Sequence, residues 1–120
     1  MLSDGWIVRY ITPMHDDLRD HGPQPLDGLM DRWKLSNHQL VDESVEQLNH
    51  KQVQKARKGR QLTLHMMLKI TRTLNDAILA RLPKEKRGEF QPYLHRHLFN
   101  YAKNHSDTWT DPNESLMPQD

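Results

Sequence analysis

Apolar residues recur at helical spacing in three stretches of the chain. One stretch spans residues 25–35, a second runs from Leu64 to about Leu82, and a third runs from about Gln91 to Lys103. Each repeats apolar side chains three and four positions apart, which places them on one face of an α-helix. These faces are Leu26, Leu29, Met30 and Trp33; Leu64, Met67, Leu68, Leu74 and Ile78, widened by Ile70 and Ala77; and Phe90, Tyr93, Leu94, Leu98 and Tyr101. The pattern predicts three amphipathic helices, and Pro83 ends the second.

Signals for helix starts predict two shorter helices between the first two stretches. Two capping boxes combine an N-cap residue with a glutamine three positions later, Ser36 with Gln39 and Asn49 with Gln52. Thr63 is a third N-cap, and Gly59 is a natural C-cap. The apolar pairs that flank the caps are typical of hydrophobic staples: Leu35 and Leu40, Leu48 and Val53, Leu62 and Met67. These signals predict helices from Asn37 to about Ser44 and from His50 to Lys58.

Only residues 5–12, GWIVRYIT, alternate in the manner of a β-strand. A lone strand is not stable in water, so this run has to pack on the helices or pair with a partner subunit. We therefore predict an all-α domain of four to five helices with a helix-turn-helix at its centre, an irregular N-terminal arm and a C-terminal tail. The expected divisions are an arm (1–24), the helix-turn-helix domain (25–82), a C-terminal helical extension (83–104) and a flexible tail (105–120).

Charge is segregated along the chain although the net charge is only +1. Residues 1–46 carry four basic and nine acidic side chains, and residues 76–120 carry six and seven. Between residues 47 and 75 there are seven basic residues and no acid: Lys51, Lys55, Arg57, Lys58, Arg60, Lys69 and Arg72. Such a run indicates either a helix face that is exposed to solvent or a surface that binds an anionic partner.

The predicted helix that begins after Asn49 favours the second reading. A step of about 100° per residue puts five polar side chains within one arc of about 140°: His50, Lys51, Gln54, Lys55 and Lys58. Val53 and Ala56 point the other way, towards a core. Lysine and glutamine can bond guanine and adenine edges, and a merely solvated helix would normally include glutamate for ion pairs. This helix contains no acid.

A metal site is the competing interpretation of the segment before the helices. His15, Asp16, Asp17, Asp20 and His21 offer nitrogen and oxygen ligands, and Asp17 and His21 would share a helix face. The other reading is a short polar helix broken by Gly22 and Pro23.

The chain has no cysteine, which excludes disulfides and thiolate zinc sites. No apolar run is long enough to span a membrane, and the start MLSDGW lacks signal-peptide features, so a cytoplasmic protein is expected.

The segments LSNHQLV and LNHKQVQKARKGRQLTLHMMLKITRTLN resemble the helix-turn-helix of the lambda-repressor and Cro-like (Xre-type) DNA-binding family. The resemblance covers roughly residues 26–80. It implies that the helix after Asn49 is the recognition helix, with His50, Lys51, Gln54 and Lys55 reading bases in the major groove. It also implies phosphate contacts from Ser36, Asn37, Arg57, Lys58 and Arg60. The connector SVEQ departs from the family pattern, since it is about two residues longer and lacks a glycine.

These observations together predict a sequence-specific protein for double-stranded DNA, acting as a transcriptional regulator and a homodimer. No catalytic residue, metal or cofactor is expected, and the protein is not expected to be an enzyme. The alternative is a protein-interaction module, such as an antitoxin or adaptor, that retains the fold, and aromatic or aliphatic anchors on the outward face of the helix after Asn49 would distinguish it. The N- and C-terminal extensions are separate candidate sites for a protein partner. A third reading is a metal-dependent hydrolase that uses the cluster from His15 to His21.

Overall fold

The computed structural model describes residues 20–119, and these residues form an all-α domain, as predicted. The described helices are α1 (Pro25–Arg32), α2 (Asn37–Glu43), α3 (His50–Lys58), α4 (Leu64–Arg81) and the short α5 (His95–Leu98). Two 3₁₀ turns lie at Lys84–Glu89 and Glu114–Leu116. The described residues contain no β-strand, only an isolated bridge between Asp20 and Arg60. The predicted strand-like run 5–12 lies outside the described residues.

The predicted caps determine where three of the helices begin. The Ser36 hydroxyl accepts the Gln39 amide at 3.1 Å, and the Asn49 side chain accepts the Gln52 amide at 2.8 Å. The side-chain oxygen of each glutamine accepts the backbone N–H of its cap residue, so both capping boxes are confirmed. The Thr63 hydroxyl accepts the amide of the third residue of α4. Because such caps satisfy amides that have no partner inside the helix, they can be read from local sequence.

Gly59 ends α3 in the left-handed conformation, with φ of 99°. Its carbonyl accepts the His21 amide at 2.8 Å, so the segment before α1 passes directly over this glycine. A side chain at position 59 would overlap the backbone of Gly22. Glycine is therefore required at this position both by the backbone angle and by the close approach of a second chain segment.

The hydrophobic core surrounds the middle of α4. Helix α2 packs against α3 and α4, α1 packs against α3, and α5 packs against α1 and α4. The side chains with no exposed surface come from every helix and include Leu26, Met30, Leu40, Val53, Ile70, Leu74, Ile78 and Leu98. Helix α2 is thus held on α4, and α3, which follows it after the turn 44–49, is oriented by its packing against α1 and α2.

The predicted fifth helix is much shorter than expected. A helix was expected from about Gln91 to Lys103, but only His95–Leu98 is α-helical. Asn75 of α4 explains the difference, because its side chain donates to the Tyr93 carbonyl at 3.0 Å and accepts the Tyr93 amide at 2.9 Å. That pairing commits the Tyr93 peptide groups to a tertiary contact in place of helical hydrogen bonds. Consecutive Leu98 and Phe99 are both fully buried, which one amphipathic helix face would not achieve.

The tail, expected to be flexible, contributes two buried residues to the domain. Asn113 is fully buried, and its side chain exchanges two hydrogen bonds of 2.9 Å with the backbone of Gln91. Met117 is also buried in the core. In the segment before α1, Gln24 is buried, and its side-chain oxygen accepts the Asn100 amide at 2.8 Å. The segments expected to be an arm and a tail therefore include residues that belong to the folded core.

Candidate nucleic-acid interface

Helix α3 exposes the polar face that the sequence predicts. The side chains of His50, Lys51, Gln54, Lys55 and Lys58 are all exposed, whereas Val53 and Ala56 are fully buried. Lys51, Lys55 and Lys58 follow one another at spacings of four and three residues, so they form a row along one side of the helix. No acidic residue occurs in α3. We call this surface, made of His50, Lys51, Gln54, Lys55 and Lys58, the α3 face.

The turn before α3 is held by hydrogen bonds and by one ion pair. The Ser44 hydroxyl accepts the amides of Glu46 and Leu48, at 3.2 and 2.9 Å. Glu46 accepts two hydrogen bonds from the guanidinium of Arg72 on α4, at 2.6 and 2.9 Å. This hydrogen bonding lowers the pKa of Glu46. The long connector is thereby attached to the central helix, which orients α3 without the glycine expected in a shorter turn.

Arg57 does not lie where the sequence analysis expected it. Its side chain is only 17% exposed, and it donates to Asp27 at 2.6 Å and to Asp31 at 2.8 Å, both on α1. A third bond, of 2.7 Å, goes to the side-chain oxygen of Asn37. The guanidinium of arginine donates from a rigid, planar group, and two neighbouring carboxylates neutralise its positive charge. The predicted phosphate contact of Arg57 is therefore replaced by a structural role that joins α3 to α1 and α2.

The other predicted phosphate contacts have different surroundings. Ser36 is exposed, and because its oxygen caps α2 its hydroxyl proton remains a donor for an outside acceptor. Asn37 is half-buried and oriented by Arg57, which occupies its oxygen. Lys58 and Arg60 are exposed on either side of Gly59. The structure thus brings Ser36 and Asn37 to the start of α2, and Lys58 and Arg60 to the end of α3.

His38 is a residue of this surface that the sequence analysis did not identify. Its ring stacks on His50, with centroids 5.6 Å apart and planes 19° apart, and its Nε2 lies 3.1 Å from Asp42. Each histidine lies in the first turn of its own helix, between the cap residue and the glutamine of a capping box. The sequence therefore already contained a signal for this pair, namely a histidine in the first turn of each helix that begins with a capping box. The contact aligns the starts of α2 and α3 and brings His38 to the edge of the α3 face.

Titratable side chains also line a cleft of about 410 Å³ between α1 and the tail. His97 stacks on Trp109, with ring centroids 4.0 Å apart, and its Nδ1 accepts the Leu94 amide at 2.9 Å. Burial, followed by the charge of Arg96, lowers the pKa of His97. Asp111 accepts the Tyr93 hydroxyl at 2.7 Å, and the Tyr93 oxygen accepts the Trp33 indole N–H at 3.0 Å. Burial, followed by the hydrogen bond to Asp111, raises the pKa of Tyr93.

No metal-binding group of three or more histidine, cysteine or acidic side chains is found among residues 20–119. Most of the cluster from His15 to His21 lies outside the described residues. His21 itself stacks on Tyr101, with centroids 4.3 Å apart, and lies 3.1 Å from the Gln61 side chain. None of the helices in the described part of the chain is long and apolar enough to cross a membrane.

Comparisons with protein-family models, with curated protein sequences and with solved structures find no match for this chain.

Proposed function

We propose that this protein binds double-stranded DNA in a sequence-specific manner, with α3 in the major groove, as a transcriptional regulator. The observation that carries the proposal is the α3 face, an exposed row of lysine and amide donors on a helix without any acid. Such a surface matches the phosphates and base edges of a duplex. The resemblance of residues 26–80 to lambda-repressor and Cro-like helix-turn-helix proteins supports the same reading.

The proposed contacts divide into two groups. His50, Lys51, Gln54 and Lys55 are proposed to read bases, because they lie along the outward side of α3. Ser36, Asn37, Lys58 and Arg60 are proposed to hold phosphates at the two ends of the helix pair. Phosphate contacts fix the position of the protein on the duplex, and contacts to base edges select the sequence.

We also propose that the protein acts as a homodimer. One recognition helix contacts too few base pairs to distinguish its site from the many competing sites of a genome. Two-fold pairing would require half-sites about 34–36 Å apart. The α3 face carries no aromatic or aliphatic anchor of the kind that dominates protein–protein interfaces. This argues against the alternative of an interaction module that binds its partner through α3.

The test is selection of bound sequences from a pool of random duplexes by the full chain, followed by affinity measurement on the selected duplex. Lys55→Glu should weaken binding at least about tenfold, because it reverses a charge in the middle of the α3 face. The matched control is Lys84→Glu, an exposed lysine of the 3₁₀ turn after α4. Failure to enrich any sequence, or equal losses in the two variants, would contradict the proposal.

A further inference from the structure

A groove of about 470 Å³ lies between the start of α4 and the C-terminal extension, on a surface separate from the α3 face. Leu64 and Leu94 line it, together with Tyr101 and Ala102 of the extension. The Tyr101 hydroxyl accepts the Leu62 amide at 3.0 Å, and this bond joins the extension to the segment before α4. The groove has the size of sites that bind a ligand or a few side chains of a partner.

Two apolar side chains of this groove, Leu64 and Leu94, are not part of the domain's buried core. Leu64 is 55% exposed and Leu94 is 46% exposed, although neighbouring apolar residues such as Met67 and Leu98 are buried. Only three large apolar side chains of the described residues are at least 46% exposed, and two of them, Leu64 and Leu94, line the same groove. Two exposed leucines that line one groove mark an interaction surface more strongly than isolated ones do.

The charges around the groove all have one sign. Arg96 and Lys103 line it, and no acidic side chain does. Neither cation forms an ion pair with any residue of the described part of the chain. A ligand that fills the groove would therefore gain from carboxylates placed at its edges, because complementary charge speeds association and selects the partner.

We propose that this groove binds an acidic segment of a partner protein, one whose apolar side chains contact Leu64 and Leu94 and whose carboxylates pair with Arg96 and Lys103. The combination of two exposed leucines with two cations that form no ion pair among residues 20–119 favours this occupant. Nucleic acid would match the cations but leave the leucines exposed to water. A purely apolar segment would cover the leucines but leave both cations without partners. This site does not depend on whether α3 binds DNA.

The test uses the full chain and three short fluorescein-labelled peptides, with binding followed by fluorescence anisotropy. The first peptide alternates leucine with glutamate, the second replaces each leucine with serine, and the third replaces each glutamate with lysine. The first should bind, and the other two should bind at least about tenfold more weakly, because each lacks one half of the required chemistry. Equal binding of all three peptides, or of none, would overturn the proposal.

Variants of the groove locate the binding. Leu94→Ser and Arg96→Glu should each weaken the first peptide about tenfold, whereas the matched control Lys84→Glu should leave its affinity unchanged. Both groove positions are exposed, and circular dichroism checks that the variants remain folded. Unchanged affinity in the groove variants would show that the peptide binds elsewhere, and the proposal would fail.

Three results would assign the groove to a different occupant and so overturn the proposal. A lower mass of Leu94→Ser than of wild type in light scattering would assign it to a second copy of the chain. Nuclear Overhauser contacts from the Leu94 methyl groups to residues 1–19, without peptide binding, would assign it to the chain's own N-terminal segment. A loss of duplex DNA affinity in Arg96→Glu, with peptide affinity intact, would assign it to nucleic acid.

Discussion

The guanidinium of Arg57 donates to the carboxylate of Asp27 at 2.6 Å, across thirty positions of sequence. The same guanidinium also bonds Asp31 and Asn37, so one side chain of α3 connects to both helices that precede it. This connection fixes how α3 is held against the domain, and it removes one of the seven cations of residues 47–75 from the outer surface. Arg57 thus has two effects: it orients α3, and its pairing with two carboxylates lowers the positive charge that this helix presents at the surface.

Arg57→Ala should lower the free energy of unfolding by about 1–2 kcal/mol. Hydrogen bonds to charged groups contribute about 1.5–3 kcal/mol, and the estimate is reduced because Asp31 is exposed. Urea unfolding measures the change. Arg32→Ala is the control, since Arg32 and Glu114 are 3.8 Å apart and both at least half exposed. A loss in Arg57→Ala no larger than in the control would contradict the structural role.

The salt dependence of DNA binding should reflect the cations that remain at the surface. If the two cations Lys58 and Arg60 contact phosphates, log affinity should fall against log salt with a slope of about −2 per subunit. Fluorescence anisotropy at several salt concentrations gives the slope. Arg57→Ala should leave it unchanged under conditions where the variant is folded, because Arg57 faces α1. A slope near zero for the wild type would rule out the proposed interface.

Two lysine variants of the α3 face should distinguish phosphate contacts, which position the protein, from base contacts, which read the sequence. Lys58→Ala, at the end of α3, should weaken binding to selected and random duplexes by the same factor, because a phosphate contact carries no sequence information. Lys51→Ala, in the first turn, should cost about 1–3 kcal/mol at particular base pairs and change random binding less. Competition between the selected duplex and single-base variants measures both effects. Identical profiles for the two variants would mean that α3 does not read the sequence.

The sequence predicted features that depend on neighbouring residues and missed those that depend on distant ones. The starts of α2, α3 and α4 follow from Ser36, Asn49 and Thr63, since each cap bonds an amide three residues away. The outward face of α3 follows equally from helical geometry. These predictions required no knowledge of how the helices pack.

The missed features all involve residues far apart in sequence. Nothing local to Arg57 indicates that Asp27 will reach it, and nothing near Tyr93 indicates that Asn75 will hold its backbone. The apolar spacing of residues 90–101 is compatible with a helix, yet Asn75 bonds both backbone polar groups of Tyr93, and Tyr93 is not helical. The stacking of His38 on His50 likewise requires the two helix starts to be adjacent in space.

Stability should fall as the pH decreases below about 6.5, in part because of His97. Burial lowers the pKa of His97 from its ordinary 6.5, so the unfolded chain takes up this proton at a higher pH than the folded chain does. The unfolded state then binds more protons between the two pKa values, and the free energy of unfolding decreases as the pH falls through that window. Urea unfolding between about pH 7.5 and about pH 5.5 should show this trend, and His97→Gln should make it shallower. A nuclear magnetic resonance titration of His97 with a midpoint at or above 6.5 would contradict this account.

Phe99→Ala should lower the free energy of unfolding by about 3–5 kcal/mol, because Phe99 is fully buried within its own chain. Leu94→Ala, at a half-exposed position of the same extension, should cost less than about 0.5 kcal/mol. The competing role for the aromatic and leucine side chains of this extension is a homodimer interface. If Phe99 served that role, its replacement would lower the mass measured by light scattering and leave the unfolding of the monomer nearly unchanged. A stability loss with unchanged mass would instead show that the extension completes the monomer's core, so that any dimer contact must use other surfaces.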